Sequence, residues 1–183
     1  NKLSLKNLSV TNILIFLVST LLSQSNNEYN IDNIFENGDL LYFKDSKKKV
    51  DGKVYKKINN KLMILGLVKK GKRDGVWKMY FKNGEILEEN YNNGFLDGSI
   101  SLTYSNGQKK WRISYLKGIK NGLSTFWYEN GKKWKEGNYS KGDSVGEWVF
   151  WDETGMMIDK KQYRNLKKPL DFNSRSYIYK EGR

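Results

Sequence analysis

The sequence predicts an all-β fold: an elongated single antiparallel sheet of tandem β-hairpins, behind an N-terminal hydrophobic helix or signal segment. Three observations carry this. A glycine triplet recurs in fixed register as Gly71/Gly75/Gly84, Gly94/Gly98/Gly107, Gly118/Gly122/Gly131 and Gly142/Gly146/Gly155. The middle glycines step by 23, 24 and 24 residues, a self-similarity that marks a repeat architecture. Beyond each middle glycine, every second residue is mostly apolar, the period-two signature of a strand with one buried face.

Residues 1–25 read as a signal peptide or N-terminal anchor. Lys2 and Lys6 precede an apolar run from Val10 to Leu22, followed by Ser23-Gln24-Ser25. At 13 residues the run is shorter than the ~20 that span a bilayer as a helix. Charge, short apolar core and small residues come in secretory order, with cleavage expected before Asn26. Residues 26–47 form a leading segment or cap, in which Ile31 to Phe43 adds a leading strand. Gly52 lies one step before Gly75, so residues 48–70 read as a degenerate first copy of an array spanning 48–165. About five hairpins of 23–24 residues result. Pro169 marks the change to a tail over 166–183.

Within the array the expected buried spine is Trp77/Met79/Phe81, Ile100/Leu102/Tyr104, Ser124/Phe126/Tyr128 and Trp148/Phe150/Asp152. Asn83-Gly84, Asn106-Gly107 and Asn130-Gly131 predict type I′ hairpin turns, which need positive φ at both central residues. Each second strand is expected to end at Tyr91, Tyr115, Tyr139 or Tyr163, with G-x-x-x-G joining it tightly to the next hairpin. The body of the array is expected to hold no helix.

Composition narrows the function. The chain has no Cys and no His, which removes disulfides, thiolate metal sites and the commonest general base. Net charge is +13, yet residues 44–73 alone hold twelve Lys/Arg against two Asp. This basic patch comprises Lys47, Lys48, Lys49, Lys56, Lys57, Lys69, Lys70, Lys72 and Arg73. It suits anionic lipid, an acidic partner or nucleic acid, with nucleic acid the last choice; a solvated lysine-rich edge is the plain alternative. Aromatic residues off the spine, Tyr80, Trp111, Trp127, Trp134 and Trp151, are expected to be exposed as a binding face for sugars, bases or protein. The other reading is that they close a second buried surface.

Two motifs are decoys. Gly142-Asp143-Ser144-Val145-Gly146 matches a nucleophile elbow, but that needs a His partner and a following helix. Gly66 to Arg73 resembles a phosphate-binding loop in which Arg73 replaces the Ser/Thr that holds Mg²⁺. Asp74, Asp97 and Asp143 at the junctions are expected turn formers. No catalytic residue, metal site or cofactor is expected.

The stretch Gly71-x-x-x-Gly75-x-Trp77-x-x-Tyr80-Phe81-x-Asn83-Gly84 resembles the MORN (membrane occupation and recognition nexus) repeat, and more closely the bacterial variant found in YwqK-type antitoxin proteins. The resemblance spans roughly residues 48–165 and implies a non-enzymatic hairpin array that serves as an interaction platform, sometimes at membranes. The leading expectation is an exported or envelope-associated platform that binds another protein or an envelope component. A glycan-binding wall module and an antitoxin that neutralises a toxin by direct binding are the alternatives. Mass spectrometry of the protein from an extracytoplasmic fraction of its host is expected to find Asn26 as the N-terminus; an intact residue 1–25 segment there would rule out cleavage.

Overall fold

The computed structural model describes residues 27–166. The expected signal segment (1–25) and, from residue 167 on, the expected tail lie outside the described residues. The chain is mostly β and divides into two compact units, 1–75 and 76–183, with the division inside β6 (Lys72–Tyr80).

The first unit holds β1 (Glu28–Asn30), a 3-10 turn (Ile31–Asn33), β2 (Ile34–Asn37), β3 (Leu40–Phe43), β4 (Gly52–Ile58), β5 (Lys61–Lys69) and the start of β6. β4 and β5 form the degenerate first hairpin. Its two-residue turn, Asn59-Asn60, has φ of 47° and 60°, as type I′ requires. β1 departs from the all-antiparallel expectation, for it pairs with β4 in parallel. A parallel pair needs a crossover of a dozen or more residues, which the 3-10 turn and the β2–β3 hairpin supply. Gly52 makes the approach possible: a Cβ there would stand 2.5 Å from the Asn27 carbonyl oxygen and 2.9 Å from the Tyr29 ring.

β2 and β3 form a separate two-stranded sheet, to which Lys49 adds an isolated antiparallel bridge at Tyr42. They are tied in through Leu41, whose N–H donates to the Gly71 carbonyl while its carbonyl accepts from Val50 N–H. Gly71 N–H closes the circuit onto Val50. Ile34, Leu41, Val50, Val54 and Val68 are the buried apolar residues of this unit. Arg73 clamps Glu36 of β2 with two charge-assisted bonds, 2.6 and 3.0 Å.

The second unit continues with β7 (Ile86–Asn92), β8 (Phe95–Thr103), β9 (Lys109–Leu116), β10 (Ile119–Trp127), β11 (Lys133–Ser140), β12 (Asp143–Trp151), β13 (Met157–Ile158) and α1 (Lys160–Asn165). Its strands lie side by side in chain order, each antiparallel to the next. Cross-strand partners share a face, so one inward row reads Leu87, Leu102, Trp111, Phe126, Lys135, Phe150, Ile158. A row on the opposite face reads Glu88, Ser101, Arg112, Thr125, Glu136, Val149. The spine is most complete in the middle copies. Met79 in the first copy is 40% exposed, and Asp152 in the last caps its own turn.

The turns differ from expectation in an instructive way. Asn83, Asn106 and Asn130 do not take positive φ; only the glycine after each does. Gly84 N–H donates to the Phe81 carbonyl and Phe81 N–H to the Glu85 carbonyl, which makes a three-residue loop closed by a left-handed glycine. The type I′ turns sit instead at the junctions, as Lys70-Gly71, Asn93-Gly94, Lys117-Gly118 and Lys141-Gly142, all with positive φ at both positions. The middle glycines are not turn residues. Gly98, Gly122 and Gly146 lie inside strands beside shifts in pairing, where a bulge bends the strand.

The C-terminal end is also corrected. No strand reaches Tyr163: β13 has two residues, and then α1 starts at Asp159, whose carboxylate caps Lys161 and Gln162 N–H groups in a capping box. Tyr163 on this helix packs 4.1 Å from Phe150 and 6.2 Å from Trp134, between ring centres. The helix thereby covers aromatic surface that a further hairpin would otherwise bury.

A Cβ on Gly137 would run into the indole of Trp148. Gly137→Ala is therefore expected to destabilise the protein by about 1–3 kcal/mol, the usual cost of overpacking. Urea unfolding followed by tryptophan fluorescence measures it; an unchanged midpoint would contradict the packing described.

Candidate functional site

The expected aromatic face is split by the fold. Trp111 and Trp134 are only 4% exposed and belong to the core with Leu87, Ile100, Leu102, Ile113, Phe126 and Tyr128. They are corrected from the exposed set. The reason is register: Trp111 lies directly opposite Leu102 on one side and Phe126 on the other, so it shares their inward face. Second strands supply spine rings as well as first strands.

Tyr80, Trp127 and Trp151 remain half-buried. Trp127 and Trp151 occupy equivalent places in successive copies, and their carbonyls accept hydrogen bonds from Tyr104 and Tyr128 hydroxyls. The Lys133 ammonium lies 5.4 Å from the Trp151 ring centre and 2.8 Å from the Glu136 carboxylate. Burial raises the Glu136 pKa, but hydrogen bonds from Lys133 and Thr125 outweigh it and leave the carboxyl below its ordinary value.

The basic residues do not converge on one patch. They spread over several elements. Lys49 runs over Gly71, while the Lys47 ammonium lies 4.7 Å from the Phe35 ring centre on β2. Lys56 and Lys57 pair opposite Met63 and Leu62 near the β4–β5 turn. Lys69 is held 2.6 Å from Asp74, Arg73 is bound to Glu36, and Lys72 is half-buried. Asp74 thus pairs with a lysine, while the bonds to turn N–H groups come from Asp51 and Asn121, onto Lys70 and Lys141.

The sequence reading missed an apolar edge in the second unit. The junction turns put Phe95, Leu116 and Ile119 on the surface at 54%, 51% and 52% exposure. Leu116 and Ile119 face each other across the Lys117-Gly118 turn, and Gly118 N–H donates to the Leu96 carbonyl of the preceding copy. The Lys141-Gly142 turn stacks in the same way on Lys120, with Ile119 against Gly142. Lys117 and Lys141 sit at the tips of these turns. The signal was present at the residue after each first glycine, which reads Lys72, Phe95, Ile119 and Asp143. Only comparison of that column across the copies would have exposed it.

Neither decoy has catalytic geometry. Ser144 Oγ accepts the Trp148 indole N–H at 2.6 Å, and Gly66 is a buried residue inside β5. Among the described residues, no three Asp or Glu side chains group as metal ligands.

The MORN repeat variant profile matches residues 73–93 and 120–141, which cover most of the β6–β7 and β10–β11 hairpins. These two hairpins are similar to the MORN repeat variant. No curated protein matches the chain. The repeat gives the architecture its period, and repeats of this kind are in general protein- or membrane-interaction modules.

Burial pushes the hydroxyls of Tyr104 and Tyr115 above their ordinary value and that of Tyr128 to about 12. Because these groups hold their protons more tightly when folded, their stabilising contribution is intact below pH 10.0 and lost as pH rises toward 12. Denaturant midpoints are expected to fall across that window, and to fall less in Tyr128→Phe; equal slopes in the two proteins would remove Tyr128 as a source.

Proposed function

We propose that the chain is a non-catalytic, exported interaction platform whose repeat unit docks on an anionic envelope surface. The observation that supports this reading is the turn edge that exposes Phe95, Leu116 and Ile119 and carries Lys117 and Lys141 at its turn tips. Contiguous exposed apolar residues are uncommon on free surfaces and mark contact sites. Lysines at the turn tips draw the edge toward negative charge, and the apolar side chains then leave water. The type I′ turns hold this edge rigidly, so little conformational entropy is lost on contact. The separated lysine groups of the first unit add long-range attraction.

Sedimentation with vesicles tests this. Binding to phosphatidylglycerol vesicles, but not to phosphatidylcholine vesicles, is expected to weaken as salt rises. Replacing Phe95 and Ile119 together by Ser is expected to lower partitioning by at least about tenfold, since each buried apolar side chain is worth roughly 1.5–3 kcal/mol. Partitioning that ignores both salt and the double substitution would sink lipid docking.

A further inference from the structure

The first unit contains an open cleft of about 580 Å³ between β1, the β3–β4 loop and β4. Its size lies within the ~300–1,000 Å³ range of small-molecule sites. Three rings line it, Tyr29, Phe43 and Tyr55, and all three are half-buried. Tyr29 and Phe43 meet edge to face at 4.7 Å, so each fixes the other. The seat for Tyr29 exists because Gly52 has no Cβ.

The polar lining is of a particular kind. Asn30 accepts the Asp32 N–H through Oδ1, which leaves its amide NH₂ as a donor. Asp45 accepts the Ser46 N–H through Oδ1, which leaves Oδ2 as an acceptor. Asn33 adds an amide with both capacities, its backbone carbonyl being tied to Lys44 N–H. Charges cancel. The lining carries Glu28, Asp45 and Lys44; Lys44 Nζ is held 2.8 Å from the Asp32 carbonyl, and Glu28 is offset from outside the lining by Lys53 at 3.8 Å, which leaves Asp45 against Lys44. A cleft of this balance favours neither an organic cation nor a phosphate. It suits a neutral ligand with an apolar face for the rings and hydroxyls for the amides and carboxylate.

We infer that this cleft binds a short glycan: a pyranose C–H face stacks on the Phe43 and Tyr55 rings while its hydroxyls pair with Asn30, Asn33 and Asp45. The site belongs to the cap unit and is separate from Trp127 and Trp151 of the repeats.

The test uses the full chain and two neutral trisaccharides, maltotriose and triacetylchitotriose, titrated while the ring proton resonances are followed by NMR. At least one sugar is expected to shift the Tyr29, Phe43 and Tyr55 signals in a saturable way. Tyr55→Leu and Asn33→Ala are each expected to weaken that binding by at least about tenfold, with the thermal midpoint and the vesicle partitioning of the chain unchanged. Trp127→Leu is expected to leave it intact. The inference is overturned if neither sugar shifts these signals. It is equally overturned if both cleft variants bind as the parent does, if Trp127→Leu abolishes binding, or if tetramethylammonium shifts the same rings and the sugars do not.

Discussion

Side chains of one copy take the backbone carbonyls of the next at an offset of 23 residues, and the repeat unit depends on that reach. Tyr104 and Tyr128 donate to Trp127 and Trp151 carbonyls, while Asn106 and Asn130 amides donate to Glu129 and Glu153 carbonyls. Each bond is worth only about 1 kcal/mol net, but an isolated hairpin is itself marginal. The same asparagines hold their own loops through Oδ1, bonded to the N–H two residues on. One residue thus sets both the local loop and the spacing between copies. In these loops the asparagine does not take positive φ, and the glycine after it holds the left-handed position.

Packing follows from the same register. The inward rows hold one large side chain per strand where Leu102, Trp111 and Phe126 face one another. They thin to Ser124 and Gly137 in the next row, where the Trp148 indole fills the space. The small row leaves room for a neighbouring ring, as dense packing requires. Lys135 stands in an inward row yet remains compatible with it, because its ammonium lies 4.4 and 4.5 Å from the Phe126 and Trp134 ring centres. At the end of the stack, α1 substitutes one short capped helix for a second strand, and Tyr163 takes the place of the next aromatic row. A repeat array needs such an ending to keep its last apolar face from water.

The two units expose different chemistry. The repeat unit shows apolar residues and lysines along its junction turns. The cap unit spreads its lysines over several elements and folds the Tyr29, Phe43 and Tyr55 rings around a cleft. Function in such a molecule resides in what the scaffold displays, since the scaffold itself is given over to turns, bulges and spine.

Much of the fold was legible in the sequence, and the physical reason is locality. Glycine spacing, period-two alternation and Asn-Gly pairs are consequences of backbone geometry within a few residues, so they mark hairpins and their period wherever they occur. Even the terminal helix left a local trace, because Asp159 and Gln162 stand at the spacing of a capping box. The sites were less legible. Whether Trp111 is buried or exposed is decided by what lies across from it on two neighbouring strands, and alternation within one strand cannot supply that. The basic residues are close in sequence, yet a hairpin places sequence neighbours at opposite ends of its length. The cleft around Tyr29, Phe43 and Tyr55 joins residues from three elements through a parallel crossover that no local pattern announces. Local sequence determined what each segment becomes; only tertiary structure decided which side chains meet, because faces and neighbours are set by register across strands rather than by order along the chain.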